Sequence, residues 1–108
     1  YGVIDGKLLP GSNNIFRVSN MVEKPHQDSA PSNLAIIGRY ILTKQIFEAI
    51  ENTLPDKNNE IQITDALLQL AKQGKVIAYK FNGKRFDCGT LRGFINATNY
   101  FASEQEVF

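Results

Sequence analysis

Apolar and polar positions change period several times along this chain, and each change marks a change of element. Residues 1–5 (YGVID) form a short β-prone run. Gly6, Pro10, Gly11, Ser12, Asn13 and Asn14 then make a connection rich in turn formers. Residues 15–24 (IFRVSNMVEK) place Phe16 and Val18 two apart, followed by Met21 and Val22, which predicts a second strand. Pro25 ends it, because proline has no N–H for a ladder and restrains the residue before it. A polar loop, residues 26–32 (HQDSAPS), follows. Residues 33–42 (NLAIIGRYIL) are mostly apolar, interrupted by Gly38 and Arg39, and predict a largely buried strand.

The period then turns helical. Residues 43–53 space Ile46, Phe47 and Ile50 at helical intervals, and residues 61–74 place Ile63, Leu67, Leu68, Leu70 and Ala71 on one face with Gly74 as the stop. Asn82-Gly83, between KVIAYKF and KRFDCG, predicts a two-residue β-hairpin. Thr90 reads as a helix N-cap, and Leu91, Phe94, Ile95, Ala97, Thr98 and Phe101 make an apolar stripe down to about Ser103. Strands mixed with helices through long connections predict an α/β or α+β architecture.

Composition narrows the function classes. A length of 108 residues suits one small domain, and 43% hydrophobic with 21% charged residues is ordinary for a globular protein. A net charge of +1 gives no electrostatic reason to expect nucleic acid or an anionic membrane as partner. No run approaches the roughly 18 apolar residues of a membrane helix, and no signal-peptide pattern opens the chain. The single thiol, Cys88, can make neither an internal disulfide nor a multi-cysteine zinc site, which points to a reducing compartment. The chain opens Tyr-Gly-Val-Ile without an initiator Met, inside a β-prone run. It is therefore expected to be a piece of a longer chain, the alternative being a processed mature protein.

Several residues carry possible chemistry. Glu23 and Lys24 stand side by side ahead of Pro25. Neighbours on a regular strand face opposite ways, so one site could use both only where the strand ends; the alternative is a solvated ion pair. Ile36 and Tyr40, four apart in a strand-like run, would share a face with Gly38 between them, as pocket lining or as core. Asp87 precedes Cys-Gly-Thr at a strand-to-helix junction, a common ligand position in α/β sheets, or else it caps the following helix. Cys88 reads as a small buried packing residue and His26 as a loop residue. Asp65 is expected in a first helical turn, where its charge suits the dipole.

Taken in order, YGVI, VEKP, APSNLAIIGRYIL, EIQITDAL and GKRFDCG resemble the bacterial UTP–glucose-1-phosphate uridylyltransferases, within the sugar-1-phosphate nucleotidyltransferases. The resemblance spans nearly the whole chain. VEKP and Asp-Cys-Gly are shared loosely across the wider group; SNLAIIGRYIL together with EIQITDAL is the pattern of the uridylyltransferase branch. The resemblance implies the C-terminal part of a Rossmann-like (GT-A-like) α/β nucleotidyltransferase, a mixed sheet with flanking helices and a β-hairpin. Residues 1–108 would be one sugar-phosphate-binding segment. The N-terminal glycine-rich nucleotide loop and one of two metal-binding aspartates would lie outside it.

The implied reaction joins UTP and glucose-1-phosphate into UDP-glucose and pyrophosphate. Gly2 would bring backbone against the sugar ring, Glu23 would accept from glucose hydroxyls, and Ile36 and Tyr40 would line the sugar pocket. Lys24 would hold the sugar phosphate as the catalytic residue, and Asp87 would bind Mg²⁺. The resemblance further implies a cytoplasmic homo-oligomer, inactive as this segment alone. Alternatives are a thymidylyl- or cytidylyltransferase of the same group, or a non-catalytic self-associating α/β module. Two departures stand out. Asn59 precedes Glu60 where the family often has glycine, and Leu91-Arg92-Gly93 stands where it commonly has Lys-Leu-Gly. Any contact made by that lysine is not carried onto Arg92.

Overall fold

The computed structural model describes residues 2–105. The initial tyrosine of the expected strand over 1–5 lies outside the described residues. Strands β1 (Gly2–Leu8) and β2 (Ile15–Glu23) pair antiparallel, and β3 (Ile77–Tyr79) pairs antiparallel with the start of β2. The sheet order is β1-β2-β3. Three helices complete a mixed α/β arrangement: α1 (Gln45–Glu51), α2 (Ile63–Lys72) and α3 (Leu91–Glu104).

The irregular apolar spacing of the second strand has a mechanical cause. Asp5 pairs with Asn20, but Gly6 pairs with Val18, so Ser19 is an extra residue in β2. A bulge of this kind turns the side chains that follow it through half a period. Val18 and Met21, three apart, therefore both reach the core. The Ser19 hydroxyl donates to the Asp5 carbonyl at 3.2 Å and ties the bulge to β1.

The core joins Ile4, Val18 and Met21 of the sheet to Ile46 and Ala49 of α1 and Ala66, Leu67 and Ala71 of α2. Three of these eight are alanines, whose small side chains let α1 and α2 approach closely. Helix α1 buries Ile46 and Ala49 but turns Phe47 outward. Helix α2 ends as expected at Gly74, with φ +73. The Gly74 N–H donates to the Ala71 carbonyl at 2.9 Å and the Lys75 N–H to that of Leu70 at 3.0 Å. This is the Schellman arrangement that satisfies a helix's last carbonyls. Arg17 of β2 adds a guanidinium bond of 2.6 Å to the Gly74 carbonyl.

Two expectations are corrected. Residues 33–42 are not a buried strand. They touch the outer edge of β1 at one bridge, Val3 with Ala35, and then leave the sheet. Ile41 is fully exposed, and Gly38 takes φ +80, which breaks an extended run. Nor does Asn82-Gly83 form a hairpin, because residues 84–88 pair with no strand. The second arm is drawn elsewhere: the Phe86 ring lies 5.3 Å from that of Tyr100 and 6.1 Å from that of Phe101. Packing on α3 replaces the return arm of the hairpin, and β3 takes its partner from β2 instead.

Candidate functional site

At the end of β2, Glu23 lies directly opposite Gly2 of β1. On the far side of β1 the chain returns as residues 34–36. The Ile36 N–H donates to the Gly2 carbonyl at 2.7 Å, and the Ile4 N–H donates to the Leu34 carbonyl at 3.0 Å. Ser32 pins this return by bonding its hydroxyl to the Ile4 carbonyl. Gly2 is thus flanked by Glu23 of β2 on one side and by Ile36 of the returning segment on the other. A β-carbon at position 2 would lie 2.9 Å from Ile36 Cδ1 and 3.1 Å from Glu23 Oε2. The lack of a side chain at Gly2 is what lets both groups close over the strand.

Glu23 is held by a residue that sequence reading passed over. The Thr64 hydroxyl, in the first turn of α2, donates to Glu23 Oε2 at 2.8 Å. Thr64 is buried, in the stripe that also carries Leu67 and Ala71. A hydroxyl in an apolar stripe needs a partner, and here the partner is the carboxylate. The signal was present, since Thr64 stands four before Leu68 and three before Leu67 on the packed face, but the partner lies 41 residues away in sequence. Tyr40 also reaches this corner. Burial, and secondarily the nearby Glu23 charge, push its phenol above the usual range. Gly38, at φ +80, turns the chain between Ile36 and Tyr40, so the two are not placed on one face by strand alternation, and Tyr40 keeps 38% of its surface exposed.

Lys24 follows at once, exposed, with φ +47. A left-handed lysine immediately before proline is doubly disfavoured. Strand alternation stops at Glu23, so the opposite-face rule does not govern Lys24. Asn59, the position where glycine was expected, is the other described non-glycine residue with positive φ, at +61. Asp56 stabilises that loop, accepting from the Asn58 N–H at 2.8 Å, the Glu60 N–H at 3.0 Å and the Gln62 amide at 3.0 Å. The bond from Gln62 is the main cause that holds the Asp56 carboxyl below its usual range. Asp65 lies in the first turn of α2, as expected.

Asp87 belongs to a different segment, the loop that enters α3. Its carboxylate accepts from the Gly89 N–H at 2.9 Å, while Thr90 is the N-cap of α3, accepting from the Gly93 N–H at 3.0 Å. The Asp87 carbonyl sits where a β-carbon on Gly93 would be, at 1.8 Å. Gly93 of the divergent Leu-Arg-Gly run is thus required by close backbone approach. Cys88, expected to be buried, is exposed, because this loop lies outside the core cluster and α3 itself buries only Ala97 among its described residues. Among the described residues no group of three His, Cys, Asp or Glu side chains converges on a metal position. Two clefts of about 240 Å³ are present, one between α1 and α2 lined by Glu48, Asn52, Gln69 and Gln73, the other along α3 at Leu91 and Ile95. Neither is lined by Gly2, Glu23, Lys24 or Asp87. The structure therefore gathers Gly2, Glu23, Ile36, Tyr40 and Thr64 into one corner with Lys24 beside it, and seats Asp87 on the α3 segment. No helix among the described residues is long and apolar enough to cross a membrane.

Comparison with known proteins places the chain in a family. The chain is 62% identical over 100 residues to the UTP–glucose-1-phosphate uridylyltransferase of Pseudomonas aeruginosa, covering 93% of this chain and 35% of that protein. Against the enzyme of the same name from Bacillus subtilis it is 44% identical over 106 residues, covering 98% of this chain and 36% of that one. A solved UDP-glucose pyrophosphorylase in complex with UDP-glucose superimposes with a TM-score of 0.86 at 55% identity, covering 96% of this chain and 39% of that one. The UTP-bound enzyme from Acinetobacter baumannii gives 0.78 at 38% identity, covering 96% and 35%. The chain spans about a third of the length of the curated relatives it matches. The Nucleotidyl transferase family profile matches residues 1–104, nearly every residue described above, and the chain belongs to that family.

Proposed function

We propose that this chain forms the sugar-phosphate side of an enzyme that joins UTP to glucose-1-phosphate, yielding UDP-glucose and pyrophosphate. One observation carries the reading. A carboxylate, Glu23, is fixed over a side-chain-free strand position, Gly2, with a lysine next to it on a backbone that has left the strand. A carboxylate offers about four acceptor positions, which suits a ligand as rich in hydroxyl donors as a hexose. An ammonium suits a phosphate as a point charge. The names of the relatives, and the UDP-glucose in one solved neighbour, support the same chemistry.

In this reading Glu23 accepts from glucose hydroxyls, the Gly2 backbone lies against the ring, and Ile36 and Tyr40 close the pocket. Lys24 binds the phosphate of glucose-1-phosphate. An oxygen of that phosphate attacks the α-phosphorus of UTP in line. The bond from that phosphorus to the oxygen bridging to the β-phosphate breaks, and its electron pair leaves with pyrophosphate. The attacking oxygen is already ionised, so no general base is required. Two anions must meet, and Lys24 lowers that repulsion while fixing the attacking group.

Asp87 fits an Mg²⁺ ion in donor type, because magnesium takes carboxylate oxygen and keeps several waters with only one or two protein carboxylates. Bound Mg²⁺ would supply further neutralisation of phosphate charge. Its other ligands would be waters, substrate phosphates and groups outside the described residues.

Lys24→Ala tests the proposal. In a full-length transferase carrying this segment, it should raise the KM for glucose-1-phosphate by about tenfold or more, or lower kcat by a similar factor, since it removes a charge-assisted contact. Wild-type kinetics in that variant would remove Lys24 from the mechanism.

A further inference from the structure

We infer that Thr64 is a positioning residue for sugar recognition: its hydroxyl, anchored in the first turn of α2, sets the direction in which Glu23 presents its carboxylate. The inference rests on the reading of Glu23 as the sugar-binding group and adds to it the residue that orients it.

The argument begins with burial. Thr64 is only 7% exposed and Glu23 is exposed, so the two ends of their 2.8 Å bond are unequal. The hydroxyl is fixed, because α2 is packed through Ala66, Leu67 and Ala71. The glutamate is the mobile partner, a three-torsion side chain at the last residue of a strand. Left to itself, such a side chain samples many rotamers, and ordering it on ligand binding costs free energy. The Thr64 bond removes much of that freedom beforehand. It engages Oε2 at the atom nearest Gly2, which leaves Oε1 to meet a pair of vicinal hydroxyls. The empty position at Gly2 gives the carboxylate room to lie in this orientation. Three elements therefore converge on one acid: β1 supplies space, β2 carries the group, and α2 aims it.

The same bond could simply tether α2 to the sheet, and the two roles predict different things. Thr64→Val keeps the β-branched shape and removes the donor. Thr64→Ser keeps the donor. In a full-length transferase carrying this segment, Thr64→Val should raise the KM for glucose-1-phosphate about tenfold, the scale of losing a hydrogen bond to a charged group. The KM for UTP should not change, and Thr64→Ser should behave as wild type. In a Glu23→Ala background Thr64→Val should have no further effect.

Three results would overturn the inference. One is a wild-type KM for glucose-1-phosphate in Thr64→Val, with a lowered melting temperature as its sole consequence; this marks a tether. Another is a Thr64→Val effect that persists undiminished in the Glu23→Ala background. The third is separable from both. If Glu23→Ala alone leaves the KM for glucose-1-phosphate unchanged, the reading of Glu23 falls, and this inference falls with it.

Discussion

At Lys24 two demands collide. The residue precedes proline, which disfavours helical and left-handed backbone, yet it stands at φ +47. Left-handed backbone costs a residue with a β-carbon about 1–2 kcal/mol. Strain of this size persists where the surrounding structure imposes it, and it clusters at sites of function. Here the imposing structure is the bridge network around Gly2, which fixes Glu23 in the ladder and leaves Lys24 to absorb the turn. Lys24→Gly should therefore raise stability by about 1 kcal/mol, read as an increased midpoint in urea unfolding, while it loses the ammonium as Lys24→Ala does. A lowered midpoint would mean that the left-handed backbone is not strained. The pairing of gained stability with lost activity is the signature expected of a residue retained for function.

Among the elements, α3 shows how a strong local signal can coexist with weak packing. Its N-cap, Thr90, was legible because threonine followed by a helical stripe is a local pattern, and the Gly93 N–H bonds to it at 3.0 Å. Its stripe was legible too, but that stripe meets little: Leu91, Phe94, Ile95 and Phe101 remain exposed. What was not legible is why glycine stands at position 93, since the reason is a carbonyl six residues back that folds against the helix. Gly93→Ala would set a β-carbon 1.8 Å from the Asp87 oxygen. Either the loop or the first turn of α3 must move. We expect a loss of about 1–3 kcal/mol, the usual scale of overpacking against a fixed group, together with displacement of Asp87. Thermal unfolding followed by circular dichroism would read the first effect. An unchanged melting curve would show that the loop yields freely.

Over the whole molecule, the radius of gyration is 16.6 Å, where a compact chain of this length has about 13 Å. The excess follows from the distribution of the core. All eight residues of the buried cluster come from the sheet, α1 and α2. Amide hydrogen exchange on this chain should accordingly divide it in two. The amides of Val18, Met21 and the central turns of α2 should be the slowest, and those of α3 should exchange by local opening at much lower protection. Protection in α3 equal to that of α2 would contradict the division. The corner around Gly2, Glu23 and Thr64 lies on the well-packed side of this line and Asp87 on the other. A metal site built on Asp87 would depend on further structure to hold it, whereas Glu23 is held by Thr64 and α2 within this chain.

What the sequence determined by itself is whatever depends on neighbours along the chain. The first two strands (though β1 runs on through Gly6 to Leu8), all three helices, the Gly74 stop and the Thr90 cap each follow from local period or capping chemistry. The motif runs around Glu23 and Asp87 likewise identified the family without coordinates. Only the tertiary structure decided the rest. A stretch as apolar as residues 33–42 could be strand or edge segment, and the choice was made by a single bridge to β1 and by Gly38. An Asn-Gly turn folds a hairpin only if its second arm finds a strand, and Phe86 found Tyr100 instead. Thr64 and Glu23 met because α2 packs across the end of β2. Local preferences are worth a kilocalorie or less per residue, so contacts between distant segments settle every position where those preferences are close to balanced.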